Sequence, residues 1–353
     1  MWQVIGQTRA VSLLQRSLEA DSLAHAYLFV GPAHVGKMTL ALNLAQALNC
    51  EAVQPPPDEV GTQDRPCGEC LSCQKILTGK HADVQTILMD GEASEETRTR
   101  ISVTQIEELQ RAVSLPPFEG RRKVFIIDGA EMLSIGAANR LLKTLEEPVG
   151  DVVFLLLTVD DKLLPPTVVS RCQRIELALI PAAQIEEALK TKWAVEAEKA
   201  KLLSRLAHGC LGWAVSAARD DGLLQQRNEL LEKLLDMINA GAEERFAFAA
   251  QLADQFSKNR RTVYGQLDLW LDWWRDLLLV KTGSVENITN VDRLETLTEM
   301  ADGLSLGQIR AFIQSVRSTG DGLRRNAGAK LALDVLMLDI PETGKYGKVK
   351  SAV

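Results

Sequence analysis

Apolar and polar positions follow two regimes along the chain. Between Ile5 and Ala20, Val11, Leu14 and Leu18 share one face, which predicts an amphipathic helix. Ala26-Tyr27-Leu28-Phe29-Val30 is then an apolar run of strand length, and Leu40, Leu42, Leu44, Ala45 and Leu48 follow at mostly helical spacing. Val84 to Leu88 alternates like a strand. Ser102-Val103-Thr104-Gln105 fits a capping box that opens a helix with Ile106, Leu109 and Val113 inward. Val124-Phe125-Ile126-Ile127-Asp128 reads as a second apolar strand, and Ala137 to Glu147 as a helix stopped by Glu146-Glu147-Pro148. Val152 to Thr158 is apolar throughout, the pattern of a parallel strand covered on both faces. Pro165-Pro166 breaks the chain before a last strand at Ile175-Glu176-Leu177. Strands and helices thus alternate from Ala26 to Leu177, which predicts an α/β domain with a parallel sheet.

Beyond Pro181 the pattern becomes helical only. One group runs to about Asp220 and a second from Leu223 to Ile340. Within the second, Trp270, Trp273, Trp274, Leu277 and Leu278 form one continuous helical stripe, read as core or subunit packing rather than a cofactor site. The closing helix carries Ala329, Leu331, Leu333, Val335, Leu336 and Leu338 on more than one side, which predicts a central position in a bundle. Two stretches interrupt the α/β pattern: Glu51 to Arg65, with Pro55-Pro56-Pro57, predicts an exposed excursion, and Glu92 to Arg100 a mobile connection. The tail from Glu342 to Val353 has no apolar anchor and is expected to fray.

A length of 353 residues implies two or three domains. The charged fraction of 25% excludes a fibrous or low-complexity class, and the net charge of −7 opposes general attraction to DNA or an anionic membrane. No apolar run approaches the roughly 18 to 20 residues of a membrane span, and the start lacks the charged and apolar regions of a signal peptide. A cytoplasmic location is expected. Of the cysteines, Cys67, Cys70 and Cys73 stand at two-residue gaps with Cys50 upstream, a set that can supply four thiolates to a tetrahedral zinc ion. Free thiols on a loop are the alternative. Four thiolates would close the coordination shell, so such an ion would be structural and not catalytic.

The chemistry centres on Gly31-Pro32-Ala33-His34-Val35-Gly36-Lys37-Met38-Thr39, a phosphate-binding loop between strand and helix. In the usual pattern the residue after the lysine is Ser or Thr and holds Mg²⁺. Here it is Met38, and Thr39 points about 100° away on the helix that follows. Asp128 ends an apolar strand, as in the second nucleotide signature, but Gly129 stands where a catalytic Glu would follow, and Glu131 lies three positions beyond Asp128. Thr158, at another strand end, could touch a γ-phosphate or simply terminate the strand. The helix start at Ser102 could dock a phosphate or be simply capped.

These residues carry a family resemblance. His25-Ala26-Tyr27-Leu28-Phe29-Val30-Gly31, the four-cysteine insertion, Asn139 through Pro148, Ser170-Arg171-Cys172, and Arg325-Asn326-Ala327 with Lys330-Leu331-Ala332-Leu333 together resemble bacterial clamp-loader subunits of the AAA+ class. The resemblance implies an AAA+ P-loop domain over 1–178 with a zinc module around 50–73, a helical lid over 179–220, a helical collar over 221–340, and a flexible tail over 341–353. It implies partners: gamma/tau motor subunits, a delta subunit, a sliding clamp, and primer-template DNA met through the assembly. It also implies that Arg171 projects into a neighbouring subunit's ATP site, and it places a lid arginine of active members where this chain has Gly212. Met38, Gly129 and Gly212 together point to a subunit that does not hydrolyse ATP, although Gly31, Gly36 and Lys37 leave ATP binding open. Two alternatives stand beside this reading: a gamma/tau-like ATPase in its own right, and a zinc-dependent DNA-binding protein with a relic P-loop.

Overall fold

The apolar runs assemble around a sheet. The computed structural model describes residues 2–52, 66–88, 100–147 and 150–341. Most of the Glu51 to Arg65 excursion, the acidic connection before Arg100, Pro148 and the tail after Pro341 lie outside these residues. The chain divides into two units, Met1–Gln184 with Gly209–Trp213, and Ile185–His208 with Ala214–Val353.

The first unit runs α1 (Thr8–Glu19), β1 (Ala26–Val30), α2 (Lys37–Asn49), α3 (Leu71–Leu77), β2 (Val84–Ile87), α4 (Val103–Val113), β3 (Lys123–Asp128), α5 (Ile135–Glu146), β4 (Val152–Thr158), α6 (Pro166–Val169) and β5 (Gln173–Glu176). All strand pairs are parallel, in the order β2-β3-β4-β1-β5. Because side chains alternate across a strand, the apolar runs of β1, β3 and β4 serve two cores. Tyr27, Phe29, Val124, Ile126, Val153, Leu155 and Leu157 face Leu14, Leu40, Leu44 and Ile76. Leu28, Phe125, Ile127, Phe154 and Leu156 face Ile106, Leu109, Leu141 and Leu145 on the other side.

The caps set the helix starts. The box at Ser102 is complete: its side chain accepts from Gln105 N–H, while the Gln105 side chain accepts from the Ser102 N–H. Ser134 caps α5 by accepting from Ala137 N–H, so that helix starts at Ile135, ahead of the predicted Ala137. A connection without an apolar signature is also ordered. Asp83, 3% exposed, accepts backbone N–H bonds from Phe118, Glu119 and Gly120 at 2.8, 2.8 and 2.7 Å, fixing the loop before β3.

The elements that follow are all helical: α7 (Ala182–Trp193), α8 (Ala197–Leu206), α9 (Leu211–Arg219), α10 (Asp221–Asn239), α11 (Ala242–Lys258), α12 (Arg260–Lys281), α13 (Leu294–Gly303), α14 (Leu306–Arg324) and α15 (Ala329–Leu338). The tryptophan stripe of α12 lies in the second unit's core, with Trp273 and Trp274 fully enclosed beside Phe312. Beneath it Asp276, with no exposed surface, accepts from the backbone N–H groups of Thr289 and Asn290, and the Asn290 side-chain oxygen accepts from Arg227. The closing helix departs from expectation. α15 buries Leu333, Leu336 and Met337 but leaves Leu331, Val335 and Leu338 exposed at 72, 47 and 61%. Spaced four and three residues apart, these form a second apolar stripe facing away from the core, so the helix is peripheral.

Candidate functional site

Strand register gathers the nucleotide signatures at the carboxyl ends of adjacent strands. Val30 pairs with Thr158, and Asp128 with Leu157, so the ends of β1, β4 and β3 lie side by side. The loop after β1 starts with Gly31 N–H donating to Thr158 O at 3.2 Å, and reaches α2 through Gly36, whose φ of 107° is left-handed and suits glycine. His34 also sits in the left-handed region, at φ 62°.

Lys37 opens α2 and is 8% exposed. Its Nζ donates to Gly31 O at 2.6 Å and Pro32 O at 2.8 Å, which leaves one of three protons for a phosphate. Burial lowers its pKa, opposed by the charges of Asp128 and Glu131. Burial raises the Asp128 pKa, with Lys37 pulling it down and Glu131 pushing it up. Glu131 is thus a member of the site that its place in the sequence did not reveal. The left-handed Gly129 starts a short turn over Ala130–Met132 that carries it there, and its Oε2 is buried with no hydrogen-bond partner among the described residues.

Other residues singled out around the loop are engaged in packing or local turns. Met38 is partly buried and packs against the core, while Thr39 is exposed. Thr158, 1% exposed, donates its hydroxyl proton to Asp160 O at 3.0 Å and accepts from Asp160 N–H at 3.3 Å, a local turn at the strand end. Gly212 N–H donates to His34 O at 2.9 Å, and a Cβ at Gly212 would stand 2.8 Å from that oxygen. The phosphate loop therefore has a glycine backbone packed against it at His34.

Arg171 follows α6 and has a partly exposed side chain. Its Nη2 donates to Glu146 Oε1 at 2.5 Å, and its Nη1 to Thr167 O at 2.9 Å and Ser170 Oγ at 3.4 Å.

The cysteine cluster is a separate centre. The Sγ atoms of Cys50, Cys67, Cys70 and Cys73 all lie within 4.8 Å of one another, with Cys67 and Cys73 at 3.9 Å. Thiolates around a tetrahedral ion with bonds of about 2.3 Å would stand about 3.8 Å apart, so the four could hold a metal ion. Backbone N–H groups donate to this sulfur set, Cys70 to Cys67 Sγ and Cys73 to Cys70 Sγ, both at 3.4 Å. Burial would raise the Cys67 pKa, but the backbone N–H groups of Cys70 and Glu69 and the side chains of Cys50 and Cys70 outweigh it and bring it down to about 6, while burial pushes Cys50 and Cys73 up. Polar side chains of α2 tie the cluster to the domain: Gln46 donates to Cys73 O at 2.9 Å, and Asn49 accepts from the N–H groups of Arg121 and Arg122.

A family model described as "DNA polymerase III, delta subunit" matches residues 6–181. The chain is 33% identical over 293 residues to the delta-prime subunit of DNA polymerase III from Pseudomonas aeruginosa, covering 82% of this chain and 78% of that one. The chain belongs to the DNA polymerase III delta-prime family of clamp-loader subunits. It is 29% identical over 336 residues to the Bacillus subtilis delta-prime subunit, covering 95% and 96% of the two chains. It is also 37% identical over 218 residues to the tau subunit from Salmonella typhimurium, 60% of this chain but only 32% of that relative, so this delta-prime family member spans about a third of its length. Among solved structures, a DNA polymerase III gamma subunit-related protein from Thermotoga maritima aligns over 95% of this chain and 99% of its own, at 19% identity and a TM-score of 0.42. Among the described residues, no helix is long and apolar enough to cross a membrane.

Proposed function

We propose that this clamp-loader subunit does not hydrolyse ATP itself and supplies Arg171 to a nucleotide held by a neighbouring subunit. The observation that carries the reading is the contrast between two sites on one chain. The phosphate loop has a partly buried Met38 packed against the core and Gly212 against His34, whereas Arg171 offers a partly exposed guanidinium. A planar guanidinium can bridge γ-phosphate oxygens and offset charge in the transition state, an effect worth roughly 10³- to 10⁵-fold in rate.

The partners in this proposal are gamma/tau motor subunits and a delta subunit, loading a sliding clamp onto primer-template DNA in the cytoplasm. The P-loop domain over 1–178 would carry Arg171 and be followed by a helical lid over 179–220, and the collar over 221–340 would hold the ring together. The exposed Leu331, Val335 and Leu338 stripe supports a helical partner for the collar. The cysteine centre is assigned to one structural Zn²⁺, which would staple a module too small to hold its own core.

The test mixes this chain with motor subunits, delta, clamp and primed DNA. Arg171→Ala is expected to depress DNA-stimulated ATP turnover while assembly stays intact. Unchanged turnover would refute the trans role. One observation favours a second reading, an ATPase that hydrolyses its own nucleotide: Glu131 places another carboxylate in the field of Lys37 and Asp128. Steady ATP turnover by the purified chain alone, abolished by changing Lys37, would establish that reading in place of the first.

A further inference from the structure

We propose that Glu146 is a positioning residue for Arg171, holding its guanidinium in the orientation in which it meets a neighbour's nucleotide; this rests on the trans-acting reading of Arg171. Three acceptors hold the guanidinium, and they are not equivalent. Thr167 O and Ser170 Oγ belong to the segment that carries Arg171, so they move with it. Glu146 belongs to a different element, the last residue of α5, whose Leu141 and Leu145 are locked in the core of the sheet domain. Its 2.5 Å bond is therefore the one among these contacts that fixes the long side chain relative to the sheet.

Two further features fit that task. The carboxyl end of a helix carries partial negative charge, so a glutamate there is unfavourable unless a cation meets it. Arg171 is that cation, and an ion pair this exposed adds little to folding. The pair also leaves the guanidinium available. It has five N–H donors, of which these contacts engage three, so phosphate oxygens can be met without breaking the Glu146 bond. A guanidinium already ordered loses less freedom on meeting the transition state.

The experiment measures kcat and KM for ATP in the reconstituted loader with clamp and primed DNA, after gel filtration shows that each variant assembles. Glu146→Ala is expected to lower kcat about 10-fold at the completed site with KM within about two-fold. Glu146→Gln, which keeps the acceptor oxygen, should retain most of the rate. Glu146→Asp, which keeps the charge but withdraws the oxygen by one methylene, should resemble the alanine variant and serves if that variant fails to assemble. The double variant with Arg171→Ala should be no slower than Arg171→Ala alone. Full activity in Arg171→Ala would overturn the trans reading itself. A slow Arg171→Ala beside a fully active Glu146→Ala, or losses that multiply in the double variant, would leave that reading intact and overturn the role of Glu146.

Discussion

Gly212 shows how much a single position can hold. Its missing side chain could be read as the loss of a catalytic arginine, but the structure gives the glycine a use: its N–H satisfies His34 O, and no Cβ fits there. Gly212→Ala is expected to cost about 1–3 kcal/mol through overpacking against backbone, seen as a lower melting temperature. Asp83→Ala should cost about 2–3 kcal/mol by removing the acceptor of three backbone N–H groups, read by chemical denaturation. His208 gives a pH signature. Its bond to Asp272 raises its pKa against the opposing effects of burial and of Arg275, with Asp276 adding to the rise. Folded-state pKa exceeds unfolded, so the pair stabilises fully below pH about 6.5 and the benefit fades as pH rises through the raised value. Asp272→Asn should therefore flatten the stability profile above pH about 6.5. Met38 and Gly129 were legible because a short motif specifies their neighbours. Glu131, Glu146 and Asp83 were not, because loop geometry or partners distant in sequence give them their meaning.

At the scale of elements, the strands were the most legible part. Val152 to Thr158 could be read to the residue because a strand covered on both faces has no polar position to confuse its ends. β5, an edge strand with three of four residues exposed, was placed late, at Ile175 to Leu177 in place of Gln173–Glu176. The cysteine centre was legible from spacing, but α3, which begins between two of its cysteines, was not, being only seven residues long. Metal analysis should find about one zinc per chain, and Cys67→Ser should reduce it; absent metal, or content unchanged by the substitution, would contradict the assignment. α15 was misread because apolarity on two sides of a helix looks the same whether the second side meets its own core or a partner. Leu331→Asp with Leu338→Asp should leave the isolated chain folded, since both side chains are exposed, and weaken assembly in sedimentation velocity. Unaltered assembly would remove α15 from the interface.

For the whole molecule, the proposed function divides the roles expected of one site between two chains, an inherited nucleotide fold on this one and a surface arginine offered to another. The parallel sheet and the helical second unit follow from the hydrophobic pattern, whereas the strand order and the assembly do not, since pairing between strands or between chains leaves no periodicity of its own. The collar residues that a ring would join and the nucleotide that Arg171 would meet both belong to that level. The central claim is that this chain acts on a partner's nucleotide and not on its own. Its most direct test compares two variants in one assay of DNA-stimulated ATP turnover by the reconstituted loader. With assembly intact in both, Lys37→Ala should turn over as the unaltered complex does, while Arg171→Ala falls. Loss of turnover in Lys37→Ala with full turnover in Arg171→Ala would contradict the account.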